Sequence, residues 1–577
     1  MIDLEKVIRD INTKQGLSFQ PSSHPTEDGN SYIACYSDHY LSYGEITIAF
    51  EASFPYALPD IFIKNTSKPH VHVTPAGKIC LTDESALLLD INRPEQLIVD
   101  CLDRAAQILS ILPGTDVYKE ELKKEFLSYW GIYTPGIIYF SILQIPKKEG
   151  FIQEFPLFKY GKSLLLANSA DDANRYICET LGLDSTAAVD KPEEYALVIG
   201  LKQGCAFPSP FKQHNWFSVM DYIRDNTDTQ TSRQFFKLMN ARVKNKIINI
   251  IFISPGTDGN ILFGVVVGFN NRRKTPMKSS IKTSVMQINL LREDRDYLLA
   301  RGGSALSLTD KRVLLLGCGS VGGYLANNLC QMGITQIDLL DKDNFKSENV
   351  YRHFMGYDAL RRPGSKGKAD LLREILSDKY PDMDIDSMNY KDRSVEAVIL
   401  SNPERLSQYD LVISALGEPT INLAINKALV ENNIPTAFIV CFNEPYGIGG
   451  HVITTNLSQE SCLRCYYSDL LEGTLRTFRG SLVAPDQNFK KSLSGCSSTF
   501  VPYSALDSQQ TAIHAAHKAV DILTGKLNRN NFFTWRGDSS LLISQGYEVS
   551  DFYNSENPSN EITNPKCPVC QRRHSVP

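Results

Sequence analysis

Apolar positions at the start of the chain recur at helical spacing. Leu4, Val7, Ile8 and Ile11 in MIDLEKVIRDI share one face of a 3.6-residue turn, which predicts an amphipathic first helix. Polar turns and short strand-like runs such as 46–50 follow, then helical patterns over 95–112 and 119–130. Helices around a strand meander predict an α+β domain over residues 1 to about 130, with Trp130 in EFLSYWG anchoring its boundary. The block from about 131 to 300 mixes strand-like runs (196–201, 247–253, 261–269) with helical ones (171–183, 217–226) and carries no chemical motif. From 301 to 577 strand and helix alternate, as in a parallel-sheet α/β domain.

Length agrees with several blocks, because 577 residues exceed what one hydrophobic core organises. Hydrophobic content of 42% and charged content of 22% are those of a soluble globular protein. A net charge of −5 gives no global reason to expect nucleic acid or an anionic membrane as partner. The longest apolar runs are too short to span a bilayer, and the charged N-terminus does not read as a signal peptide. A cytoplasmic enzyme is expected. Thirteen cysteines then point to metal ligation, catalysis or burial rather than disulfides.

The strongest local signal lies in VLLLGCGSVGGYLANNLCQMGITQIDLLDKD, residues 313–343. An apolar strand runs into Gly317, Gly319 and Gly322, a GxGxxG at the opening of a helix, and a second apolar run ends at Asp341. Glycines there permit a tight turn and close backbone approach to phosphates, and the acid can bond ribose hydroxyls. A nicotinamide-dependent dehydrogenase would use the same unit. The following DKDNFKSENVYRH decides against it, for it resembles the signature of the ThiF and ubiquitin-activating adenylyltransferases, D-x-D followed by N-x-x-R. That resemblance implies ATP with Mg2+, Asp341 holding the ribose, Asp343 as a further cofactor-binding residue, and Asn349, Arg352 and Lys368 on the triphosphate, with Lys366 less well aligned. One departure stands out: the family's magnesium-binding aspartate falls on Gly417, with Asp410 earlier in the strand and Glu418 one residue on.

Two C-x-x-C pairs, Cys462/Cys465 and Cys567/Cys570, have the spacing of a tetrahedral structural zinc site that ties the chain's end to its body. Cys318 and Cys330 read as core, and His514 and His517 as packing or surface residues. Cys496 sits in a Gly- and Ser-rich loop before a helical stretch, a setting that favours an accessible thiolate. In the activating family a cysteine hereabouts attacks the acyl adenylate; Cys441, after an apolar run, is the alternative.

The N-terminal block adds a second resemblance. FPYALPDIFIKNTSKPHVHVTPAGKICL, residues 54–81, resembles the core of ubiquitin-conjugating enzymes, with His70 ten residues before Cys80 and Gly77-Lys78-Ile79-Cys80-Leu81 matching G-x-I-C-L. Val71 and His72 replace the family's Pro and Asn, and the usual downstream tryptophan is absent. By resemblance Cys80 carries a thioester, and His72 stands where an oxyanion donor is expected.

Conjugating module first and activating module last resembles the bacterial fusion enzymes of CBASS antiphage operons. The fold expected is multidomain: a ubiquitin-conjugating-like α+β domain (1–130), a middle linker or degenerate α/β domain (131–300), and a Rossmann-like ThiF-type adenylation domain with a zinc site (301–577). The implied activity is activation of the C-terminus of a cyclic-nucleotide synthase (a CD-NTase), relay from Cys496 to Cys80, and conjugation to lysine-bearing targets by a homodimer. The rivals are a sulfur-carrier adenylyltransferase and a non-catalytic interaction protein.

Overall fold

The computed structural model of the chain describes residues 4–14, 18–21, 31–35, 45–64, 70–81, 87–131, 136–146, 150–182, 189–241, 247–256, 259–269, 283–388, 393–458, 461–492, 499–556 and 563–571. Two compact units emerge, one of Met1–Asn174 with Val189–Glu293, the other of Arg175–Ala188 with Asp294–Pro577. The N-terminal and middle blocks of the sequence therefore share a unit. Among the described residues no helix is long and apolar enough to cross a membrane.

The first unit opens with α1 (Leu4–Lys14), then an antiparallel five-stranded meander of β1 (Ser18–Pro21), β2 (Ser31–Cys35), β3 (Ile46–Ala49), β4 (Asp60–Ile63) and β5 (Lys78–Ile79). α2 (Pro94–Leu109), α3 (Asp116–Lys124) and α4 (Phe126–Trp130) follow. Val7, Ile8 and Ile11 of α1 and Ile98, Leu102 and Ala105 of α2 form one buried cluster with Ile46, Ile48 and Ile61 of the sheet. Their helical and alternating spacings explain why these segments fold as they do. At the end of α4, Trp130 is 1% exposed and its indole N–H donates to the Ile288 carbonyl at 3.2 Å.

The middle block is a closed barrel of β6 (Ile137–Ser141), β7 (Ile152–Tyr160), β8 (Ser163–Leu166), β9 (Glu194–Gly200), β10 (Ile247–Ser254), β11 (Ile261–Phe269) and β12 (Thr283–Arg292), in the order β10-β11-β12-β6-β8-β7-β9. α5 (Ala170–Asn174), α6 (Trp216–Asn226) and α7 (Thr229–Ala241) interrupt the strands. It is not a second open nucleotide sheet. Closure joins β9 to β10 in parallel, a non-local pairing that strand periodicity does not encode.

Beyond residues 175–188, the second unit starts with α8 (Arg295–Arg301) and is built on a seven-stranded sheet. Its elements are β13 (Arg312–Leu316), α9 (Ser320–Gln331), β14 (Gln336–Leu340), α10 (Asp358–Arg361), α11 (Lys368–Lys379), β15 (Asp384–Ser387), β16 (Leu411–Ser414), α12 (Pro419–Glu431), β17 (Ala437–Asn443), β18 (Gly449–Thr455), the short pair β19 (Lys491–Ser492) and β20 (Thr499–Phe500), α13 (Ala505–Leu523) and β21 (Asn531–Arg536). The sheet order is β15-β14-β13-β16-β17-β18-β21, parallel through β17 and antiparallel beyond it. Strand order reverses at β13, so a crevice opens between the carboxyl ends of β13 and β16, where open α/β sheets bind ligands.

The turn from β13 into α9 depends on missing side chains. Gly317 has φ +90°, and a Cβ on Gly322 would lie 1.9 Å from the Gly317 carbonyl oxygen. Gly323, outside the motif, is also required: a Cβ there would stand 2.7 Å from Cε1 of the buried His353 ring. That ring cannot yield easily. Nε2 donates to the Cys318 carbonyl at 2.7 Å and Nδ1 accepts the Met355 N–H at 3.2 Å. Burial pushes its pKa down to about 4, so the ring is held neutral. Gly323→Ala should therefore lower the stability of the second unit by roughly 1–3 kcal/mol in a thermal melt. An open helical site would show the opposite sign, a gain of about 0.5–1 kcal/mol, and that result would refute the packing account.

Candidate functional site

Asp341, at the end of β14, ties the glycine turn to its neighbouring strand. One carboxylate oxygen accepts the Cys318 N–H at 2.7 Å and the other the Asp343 N–H at 2.8 Å. Each oxygen keeps a lone pair for a ligand hydroxyl. Burial pushes the Asp341 carboxyl's pKa up, and Lys368 opposes that rise. Gly317, Gly319, Asp341, Asp343 and Lys368 line a cavity of about 100 Å3, which also borders Arg393 and Glu418. A larger neighbouring cavity of about 370 Å3 is lined by Gly319, Asn349, Arg352, His353 and Lys368 on one side and Cys441, Asn443, Phe500, Val501 and Tyr503 on the other. That is the size of a small-molecule site. Lys368 touches both cavities.

Its Nζ pairs with Asp343 Oδ2 at 2.9 Å, so a phosphate-bearing ligand would have to compete for it. Lys366 instead donates to the Leu360 and Arg362 carbonyls. Arg352 lies over the Tyr503 ring at 5.8 Å, and the Asn349 side-chain Oδ1 accepts the Lys346 N–H at 3.0 Å. Tyr503 and the Ser320 hydroxyl at the mouth of α9 are 3.2 Å apart.

The magnesium question resolves only in part. Asp410 immediately precedes β16, where it meets Lys311 and the Arg312 N–H, whereas the crevice is at that strand's other end. The length of the strand excludes it as a ligand, roughly 13 Å for four residues. Glu418 does reach the smaller cavity, paired with Lys342 at 3.2 Å.

Cys441 is 1% exposed on β17, and burial pushes its thiol up to about 12, the wrong state for a nucleophile at neutral pH. Cys496 lies outside the described residues. Cys318 and Cys330 are fully buried, and His514 packs on Phe533 at 4.3 Å.

Cys80, in the first unit, is exposed just after β5. Its N–H donates to the His72 carbonyl at 2.7 Å. His72 is held in the left-handed region at φ 58°, and its own N–H donates to the Tyr129 hydroxyl at 2.6 Å. Here the sequence expectation needs correction. Both imidazole nitrogens face carboxylates, Nε2 with Glu121 at 3.1 Å and Nδ1 with Glu125 at 3.2 Å, so the ring is not aimed at an oxyanion beside Cys80. Tyr129 donates to the other Glu125 oxygen at 2.5 Å. Burial chiefly, then Glu125 and also Cys80, push the Tyr129 hydroxyl's pKa well up. His70 bonds the Val71 and Ile111 carbonyls and serves the loop itself.

Cys462, Cys465, Cys567 and Cys570 are buried together, with Sγ atoms within 4.8 Å of one another. Cys462–Cys567 and Cys465–Cys570 are 3.7 and 3.6 Å apart. A tetrahedral ion with metal–sulfur bonds of about 2.3 Å sets sulfurs roughly 3.8 Å apart, so this is a possible four-cysteine metal site.

Known proteins agree with both units. The ThiF family matches residues 294–537, and the prokaryotic E2 family B matches residues 36–138. The chain joins an E2-like domain to a ThiF-like domain. An ATP-dependent ubiquitin transferase-like protein, Cap2, of Pseudomonas aeruginosa is 23% identical over 471 residues, 79% of this chain and 80% of that one. Its namesake in Vibrio cholerae is 28% identical over 263 residues, 43% and 42% of the two chains. Ubiquitin-like modifier-activating enzyme 5 of Drosophila mojavensis is 28% identical over 165 residues, 27% of this chain and 40% of that one. ThiF-type adenylation implies ATP and Mg2+ at the crevice.

Glu121, Glu125, Tyr129, His353, Gly323 and Tyr503 escaped the sequence reading. Glu125 and Tyr129 stood in EFLSYWG, Gly323 beside the glycine motif and His353 directly after Arg352, but no local signal gave any of them a role. Purified chain should hold a single tightly bound divalent ion by mass-spectrometric metal analysis, and Cys567→Ser should lose it and melt at lower temperature. Metal-free protein with two disulfides would contradict it.

Proposed function

We propose that this enzyme, of the ubiquitin-like activating and conjugating class, adenylates a protein C-terminus and passes it through two cysteine thioesters to an amine. The observation that carries the reading is the pairing, in one chain, of a crevice where Asn349, Arg352 and Lys368 converge with an exposed Cys80 after the G-x-I-C strand end. A carboxylate is a poor electrophile. Its attack on the α-phosphorus of ATP forms an acyl adenylate and expels pyrophosphate, with Asn349, Arg352 and Lys368 meeting the charge on the phosphates. Asp341 holds the ribose, with Asp343 beside it in the lining of the smaller cavity. Magnesium arriving with ATP supplies further neutralisation, with Glu418 as the nearby carboxylate.

Cys496 as thiolate then displaces AMP. Phe500 and Val501, four and five residues beyond it, line the larger cavity, which supports a cysteine segment working at the crevice. Exchange moves the acyl group to Cys80, and aminolysis releases it onto a lysine. Joining the modules in one chain raises their effective concentration. The four-cysteine site holds zinc. By resemblance to CBASS fusion enzymes, the activated protein is a CD-NTase, the acceptors are target-protein lysines, and the enzyme acts as a homodimer in antiphage defence.

The test mixes purified chain, ATP, Mg2+ and a candidate CD-NTase substrate, and follows thiol-sensitive adducts on non-reducing gels. Cys80→Ala should still trap an adduct while Cys496→Ala traps none. Adducts on neither cysteine, with ATP still split to AMP and pyrophosphate, would make it a sulfur-carrier type of adenylyltransferase.

A further inference from the structure

The surroundings of Cys80 contain more chemistry than a thioester carrier needs, and this inference rests on the reading of Cys80 just proposed. Aminolysis has a proton to remove. When an amine adds to a thioester carbonyl, the new C–N bond leaves a cationic nitrogen that is far more acidic than the free ammonium. Unless that proton leaves, the amine is expelled again in preference to the thiolate. A carboxylate nearby is a sufficient base.

Two carboxylates stand there, and the structure distinguishes them. Glu121 is already neutralised: Oε1 holds Lys124 Nζ at 2.8 Å and Oε2 holds His72, which together keep its carboxyl below the usual range, Lys124 foremost. Among the described residues Glu125 pairs with no lysine or arginine. Oε1 meets His72 Nδ1, Oε2 accepts the Tyr129 hydroxyl, and its side chain is 32% exposed. The same two partners lock onto the nucleophile's backbone, because Tyr129 accepts the His72 N–H and the His72 carbonyl accepts the Cys80 N–H. Cysteine and carboxylate are thus linked through one residue bonded on both sides.

We propose that Glu125 accepts the acceptor amine's proton during discharge of the Cys80 thioester, with His72 and Tyr129 as its positioning residues. The amine attacks the carbonyl carbon, and the C–N bond forms. The proton on nitrogen passes to Glu125, the carbonyl re-forms, and the C–S bond breaks with its electron pair on sulfur. The Cys80 thiolate then takes the proton back from Glu125, so that thioester plus amine yields amide plus thiol. His72 thereby replaces the family asparagine as an anchor for the carboxylate and for its own left-handed backbone, rather than as an oxyanion donor.

The full chain can be loaded at Cys80 without ATP, by exchange with an acetylated Gly-Gly peptide thioester, with Cys80→Ala as the blank. Discharge is then timed by mass spectrometry against free lysine and against hydroxylamine, whose weakly basic nitrogen sheds its proton readily. Glu125→Gln should slow lysine discharge about a hundredfold, while loading and hydroxylamine discharge stay within about threefold. Glu125→Asp should recover part of the lysine rate, and Tyr129→Phe should slow lysine alone. Equal losses toward both nucleophiles, or an unchanged lysine rate, would overturn the proposal and leave the thioester reading standing. A wild-type Cys80 that accepts no acyl group would overturn both.

Discussion

The buried Asp341 carboxylate is the contact on which the nucleotide crevice depends. By accepting one backbone N–H from the glycine turn and one from its own loop, it fixes the ends of two adjacent parallel strands to each other. Everything at the crevice is referenced to that clamp. Lys368 is placed by its backbone N–H, which donates to the Asp343 carbonyl, and by its ion pair with the Asp343 side chain. The turn can lie so close because Gly317 and Gly322 present only backbone, and His353 bolts its far side through the Cys318 carbonyl. A desolvated carboxylate satisfied by two N–H groups is costly to disturb, which suits a site that must present fixed dipoles to a triphosphate.

Legibility followed the range of the interaction. Residues 313–352 carry strand, turn, helix and acid within forty residues of sequence, and local rules sufficed to place the strand–turn–helix crevice there. The two C-x-x-C pairs were equally plain, because chelation fixes their spacing, and their sulfurs do gather although about a hundred residues separate them. The middle barrel was not legible. Its closure rests on β9 meeting β10 across some fifty residues, and alternation within each strand is the same in a barrel as in an open sheet. The setting of His72 was hidden for the same reason: its partners Glu121, from α3, and Glu125, between α3 and α4, lie some fifty residues along the chain.

The two units solve related problems in different ways. At the crevice, cations and backbone dipoles await negative charge. Around Cys80, carboxylates, an imidazole and a phenol are gathered, the groups that the proposed discharge to an amine would use. Burial sets which thiols can take part. Cys441, Cys318 and Cys330 are enclosed and pushed toward the neutral thiol, whereas Cys80 is exposed. Chemistry in each unit thus follows from what surrounds the reacting atom.

The central claim is that the crevice binds ATP and breaks it between the α- and β-phosphates. The most direct measurement incubates the chain with radiolabelled pyrophosphate, ATP, Mg2+ and a candidate protein bearing a free C-terminus, and follows label into ATP. The account predicts exchange that requires the carboxyl substrate and falls by about two orders of magnitude or more in Arg352→Ala. Release of ADP and phosphate, or binding of NAD in preference to ATP, would contradict it.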